Sequence, residues 1–194
     1  MTNKRPVLAV TMGDPAGIGP EIAVRALLSP EVRDCSRSFL IGDARVFERA
    51  LSVCGLSASL NRIAGPEDIA DRDGVIDVIH QDSADPTVLQ MGKVQPLGGE
   101  AAYAAIRTSI ELAMAGRIAG VATTPINKES LKAAKIPFIG HTEMFAEQTG
   151  AREEMTMFTI SGLKIFFLTR HLSLMDACRQ ITRQREELGL LLGL

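Results

Sequence analysis

The chain has no tryptophan, one tyrosine (Tyr103) and seven phenylalanines, so the aromatic platforms on which proteins stack single-stranded nucleic acid are largely missing. An excess of positive charge is missing too. With 21 Lys and Arg against 23 Asp and Glu the formal net charge is −2, which leaves no basic footprint for neutralising a phosphate backbone. Nucleic acid is therefore not an expected partner. Cysteine is scarce: Cys35, Cys54 and Cys178 are an odd number without a CxxC pair, which fits neither a disulfide scaffold nor a zinc ribbon and points to a reducing compartment. No stretch approaches the ~18 to 20 apolar residues of a membrane span. The apolar run Val7 to Met12 is cut by Gly13 and Asp14 before it reaches the ~7 to 15 residues of a secretory core. The expectation is a cytoplasmic protein with no membrane partner.

What is present is ordinary globular composition, 46% hydrophobic and 23% charged over 194 residues, enough for one domain or two small ones. Val7 to Thr11 is a continuous apolar run without alternation, as expected of a strand covered on both faces of a parallel sheet. Glycine and proline punctuation follows from Gly13 to Pro20, and EIAVRALL then reads as a helix. The same grammar recurs. SFLIGD is a strand, ARVFERALSVCGL a helix and GVIDVIHQ a strand; after a loop from Gln81 to Gly99, GEAAYAAIRTSIELAMAG is a long helix stopped at Gly116. RIAGVATTP is a further strand and NKESLKAAK a short helix, and a second helix runs through EMFAEQTG. This alternation predicts an α/β layer fold. MTMFTISGLKIFFLTR holds two apolar runs around Ser161 and Gly162, which suits an antiparallel hairpin, although the second run equally suits the main sheet. The change of pattern places a boundary near Ile136, giving 1–135 as one lobe and 136–194 as the start of another. Ser173 with Asp176 forms a capping pattern for a last helix.

Four segments carry side chains with chemistry. MGDPAGIGPE has glycines at 13, 17 and 19; this is not GxGxxG, and no Gly-Lys-Ser/Thr supplies a phosphate-binding lysine. It nevertheless leaves the carboxyl end of a strand and opens a helix, the place where open α/β sheets hold ligands; a tight turn with Asp14 bonded to local backbone is the plainer alternative. Lys128, in TTPINKE, stands at a helix start where a cation is electrostatically misplaced, which suits an anion or a proton transfer as well as a solvated surface lysine. His141 and Thr142, in GHTE, sit at another helix entrance and suit a polar or anionic substrate, or a helix cap. His171, in TRHLSL, suits a metal through neutral imidazole, whereas His80 at the end of DVIH reads as structural or exposed.

In this order, MGDPAGIGPE, GEAAY, TTPINKE, GHTE and TRHLSL closely resemble the 4-hydroxythreonine-4-phosphate dehydrogenase (PdxA) family from about Val7 to Arg183. The resemblance implies a two-lobed α/β/α fold of the isocitrate and isopropylmalate dehydrogenase type, with the second lobe incomplete in this chain. It further implies NAD and a divalent metal (Zn, Mg, Mn or Co) as cofactors, and a homodimer with its active sites at the interface. By the same resemblance His141 and Thr142 are substrate contacts and His171 is the first of three histidine metal ligands. Lys128 is the expected proton-transfer group, Asp14 orients the site, and no residue is assigned to NAD. The implied reaction is oxidation and decarboxylation of a phosphorylated β-hydroxy acid, 4-phospho-D-threonate or 4-phospho-D-erythronate, to dihydroxyacetone phosphate. The vitamin B6 reaction on 4-phosphooxy-L-threonine is the alternative within the family, and a dihydrodiol dehydrogenase relative is a further one. A catalytically silent fragment, serving as a folding or dimerisation module, is the reading from another class.

Overall fold

The computed structural model describes residues 5–151, 155–169, 172–183 and 187. The chain divides into two units, 1–149 and 150–194. In the first, β1 (Val7–Thr11), β2 (Arg37–Gly42), β3 (Ser59–Arg62), β4 (Val75–His80) and β5 (Gly120–Thr123) form one parallel sheet in the order β3-β4-β2-β1-β5. In β1 and β2 the register pairs Ala9 with Phe39 and Val10 with Leu40. These neighbours point to opposite faces and start two separate cores.

On one face, Val10, Leu40 and Val78 pack with α1 (Gly19–Leu28) and α3 (Ala44–Val53) through Val24, Leu27 and Phe47. On the other, Ala9, Phe39 and Ile41 pack with Ala105 and Leu112 of α4 (Pro96–Met114). Phe39 and Phe47 are wholly buried, each worth roughly 1.5–3 kcal/mol of apolar burial. A third core joins Ile106 and Ile110 of α4 to Leu131 of α5 (Lys128–Ala133) and Met144 of α6 (His141–Thr149). This packing carries α6 into the first unit. The first compact unit therefore runs to Thr149, beyond Ile136, where the sequence pattern changes.

Two elements were not expected. The helix α2 (Pro30–Cys35) is short, charged and without a buried residue, and β3 has the sequence SLNR with no apolar run. The long helix also starts three residues before Gly99, because Pro96 at its first position needs no backbone partner.

The second unit contains β6 (Thr156–Ile160) and β7 (Leu163–Phe167), paired antiparallel as a sheet of their own. Ser161 and Gly162 both take positive φ, +46° and +85°, the turn whose twist matches a two-residue hairpin. Phe158 and Phe167 meet edge to face at 4.8 Å. In α7 (Leu174–Gln180) the Ser173 hydroxyl accepts from the Asp176 N–H at 3.2 Å, so Ser173 caps the helix.

Candidate active site

The loops that follow β1 and β5 lie side by side because those strands are neighbours. They then diverge: the β1 loop feeds α1, and the β5 loop feeds α5, which packs against α4 on the opposite face. A crevice at the carboxyl ends of strands whose connections part in this way is where open parallel sheets bind ligands.

The two loops are interlocked. The Asp14 N–H donates to the Pro125 carbonyl at 3.0 Å, and the buried Thr124 hydroxyl donates to the Thr11 carbonyl at 2.9 Å. Gly13 has φ +69°, and a Cβ there would stand 2.3 Å from Thr124 Oγ1 and 2.4 Å from the Pro125 oxygen. Only glycine supplies both the conformation and the space.

Asp14 is almost wholly buried, at 5% exposure. One carboxylate oxygen accepts from the Ala16 N–H at 2.8 Å and the other from the Ser130 hydroxyl at 3.3 Å. A Cβ on Gly98 would lie 2.8 Å from Asp14 Oδ1, so the carboxylate sits against the first turn of α4, the positive end of a long helix dipole. With both oxygens engaged, Asp14 holds three segments in register and is not presented as a proton carrier. Ser130, buried to 1%, is the partner that sequence reasoning missed; its signal was a small polar residue on the inner side of a short helix, next to Leu131.

Asn127 caps α5 by accepting from the N–H groups of Glu129 and Ser130 at 2.9 and 3.1 Å. Lys128 follows it, exposed and without an ion-pair or hydrogen-bond partner among the described residues. His141 and Thr142 open α6, both half-buried. Burial pushes the His141 imidazole pKa down, and its Nε2 is buried without a partner. Thr11 Oγ1, at the end of β1, and Glu21 Oε2, in the first turn of α1, are orphaned in the same way. A buried polar atom left unpaired costs about 1–3 kcal/mol, a cost that bound ligand or water relieves.

His80 is structural: its Nδ1 accepts from the Ala44 N–H at 3.1 Å. The other expected site residue, His171, lies outside the described residues. Among the described residues no group of three His, Cys, Asp or Glu side chains is placed to hold a metal, and no helix is long and apolar enough to cross a membrane.

A family profile described as "Pyridoxal phosphate biosynthetic protein PdxA" matches residues 34–190. A curated protein of Symbiobacterium thermophilum named "Putative D-threonate 4-phosphate dehydrogenase" is 52% identical over 181 residues, 93% of this chain and 54% of the relative. A protein of the same name from Halalkalibacterium halodurans is 47% identical over 94% of this chain and 55% of its own. Among solved structures, a 4-hydroxythreonine-4-phosphate dehydrogenase from Burkholderia phymatum superposes with a TM-score of 0.91 at 35% identity, over 97% of this chain and 57% of that one. A terephthalate 1,2-cis-dihydrodiol dehydrogenase from Burkholderia xenovorans, with a TM-score of 0.68 at 24% identity over 96% of this chain and 55% of that one, shares the fold alone. The chain thus spans 54–55% of the length of these curated relatives.

Proposed function

We propose that this chain, which belongs to the PdxA family, forms part of an NAD-linked dehydrogenase that converts 4-phospho-D-threonate to dihydroxyacetone phosphate and CO2. The observation that carries the reading is the 52% identity to a relative named for D-threonate 4-phosphate. The oxidised carbon, β to the carboxylate, gives its hydride to NAD and its hydroxyl proton to a base. The β-keto acid then loses CO2, and the enolate carbon takes up one proton. NAD supplies the redox chemistry and the protein supplies position and field.

In this reading His141 and Thr142 hold polar groups of the substrate. The orphaned Nε2 of His141 supports that role, because a ligand hydrogen bond would satisfy it. Lys128, free at the start of α5, delivers the proton to the enolate carbon. Asp14 and Ser130 are positioning residues that fix the segment bearing Lys128. A divalent metal and a homodimer with interface sites belong to the same proposal through the family resemblance. His171 is the one metal ligand it assigns here. The described side chains do not themselves make a metal centre, and no step is derived through one.

The second reading, oxidation of 4-phosphooxy-L-threonine, is favoured by the names of the structural neighbours at 32–35% identity. The two are separated by following NADH formation from 4-phospho-D-threonate, 4-phosphooxy-L-threonine and unphosphorylated D-threonate. Highest kcat/KM on the first supports the proposal, and preference for the second replaces it. His171→Ala is expected to lower metal affinity and turnover together while His80→Ala leaves both nearly unchanged; equal small effects would remove the metal assignment.

A further inference from the structure

The helix α5 closes with the Lys135 N–H donating to the Lys132 carbonyl and the Ile136 N–H to the Leu131 carbonyl, both at 3.0 Å. This is the Schellman closure, whose left-handed residue is usually glycine. α3 and α4 close through the same pair of bonds with Gly55 at φ +64° and Gly116 at φ +67°. In α5 that position is Lys135, at φ +57°. Lys135 therefore places a charged side chain at a backbone position that favours glycine.

Lys135 lines one open groove together with Lys128 and Lys132, and Phe138 and Ile139 form an apolar part of its wall. Lys128 and Lys132, four apart, share one side of α5, and Lys135, beyond the end of the helix, reaches the same groove. None of them has a carboxylate within ion-pair distance among the described residues, whereas Arg5, Arg33, Arg37, Arg45 and Arg117 are all paired. Among the described residues the only acidic side chain lining the groove is Glu129. A single phosphate covers part of such a cluster. Two linked phosphates carry more negative charge and can engage more of the three ammonium groups.

We propose that this groove binds a diphosphate group, with Phe138 and Ile139 set to receive an organic body attached to it. The site does not use His141, Thr142 or Asp14; it shares Lys128 with the dehydrogenase reading, and variants at Lys132 and Lys135 test it without altering that residue. Free pyrophosphate and a nucleotide are both sources of this group, and calorimetric titration at low salt with phosphate, pyrophosphate, ADP and NAD distinguishes them. Pyrophosphate is expected to bind on the order of tenfold more tightly than phosphate, because more of the cationic cluster is engaged. Tighter binding of ADP or NAD than of pyrophosphate identifies a nucleotide and supports the apolar wall; weaker binding of both removes that wall.

Lys135→Gly keeps the left-handed backbone while removing the charge. It is expected to weaken pyrophosphate binding several-fold with thermal stability unchanged or raised. Lys132→Gln is expected to weaken binding similarly, and Lys164→Gln, in the hairpin, to leave it unchanged. The proposal is overturned if the native protein does not bind pyrophosphate, if Lys135→Gly binds it as well as the native protein, or if Lys164→Gln weakens it equally.

Discussion

The Asp14 carboxylate and the Ser130 hydroxyl, 116 positions apart in the chain, meet at 3.3 Å and tie the loop after β1 to the helix after β5. The bond is buried at both ends. Each group would otherwise be desolvated without a partner, so the pair constrains the relative placement of the two segments more strongly than an exposed bond would.

Ser130→Ala is expected to cost about 1 kcal/mol, the net worth of one hydrogen bond, and Asp14→Ala about 2–3 kcal/mol, because the Ala16 N–H also loses its acceptor. Urea denaturation of both single variants and the double variant measures the coupling, expected at about 0.5 kcal/mol or more. Strict additivity would mean that the two groups do not interact in solution.

Gly13 and Gly92 share φ +69°, yet a Cβ on Gly13 would overlap Thr124 and Pro125 whereas one on Gly92 would meet nothing within 4 Å. Alanine at 92 therefore bears only the backbone strain, about 1 kcal/mol. Alanine at 13 adds an overlap that the interlocked loops must open to relieve, and a loss of about 3 kcal/mol or more is expected. Comparable denaturation midpoints for the two variants would show that the loops are not in contact as described.

The main strands were legible because their surroundings are uniform. Val7–Thr11 and Arg37–Gly42 are buried at their carboxyl ends, and the run of apolar residues says so directly. β3 escaped because SLNR is partly exposed at a sheet edge and owes its conformation to pairing with β4, a long-range term invisible in four residues. α2 escaped because a six-residue charged helix has no apolar stripe to recognise. At the site, MGDPAGIGPE, TTPINKE and GHTE were legible as motifs. The meeting of the first two was not, since strand order decides which loops meet. Gly98, for example, is an unremarkable helix glycine until the Asp14 carboxylate is placed 2.8 Å from its missing Cβ.

Asp43 is a second buried carboxylate, expected to matter for stability rather than chemistry. It accepts from the N–H groups of Arg45, Ser83 and Ala84 and from the Arg45 guanidinium. Burial alone would raise its pKa, but the Arg45 guanidinium and the Ala84 and Arg45 N–H groups outweigh it and hold the carboxyl below its usual range. A depressed carboxylate pKa stabilises the fold above the unfolded value of about 4 and loses that contribution as the pH falls through the folded value. Asp43→Ala is expected to cost about 2–4 kcal/mol at neutral pH, below the full value for a buried pair because Arg45 is partly exposed. Its cost should shrink toward pH 3, and a cost independent of pH in equilibrium unfolding would contradict the linkage.

His141 has the opposite charge sense but the same direction of loss. Burial lowers its pKa below 6.5, so the folded chain prefers the neutral ring, and protonation places a cation where Nε2 has no acceptor. The folded value lies below the unfolded one. The contribution of His141 is therefore complete above about pH 6.5 and is lost as the pH falls through the folded pKa. His141→Gln removes the titrating group while His80 remains in both proteins. The native chain is expected to lose more stability between pH 7.5 and pH 5.5 than the variant does, the difference being the linkage of this one imidazole. Its NMR titration should give a midpoint below 6.5; a midpoint at or above that value, with equal pH dependence in the two proteins, would show that the ring is solvated and not held at a dry helix entrance.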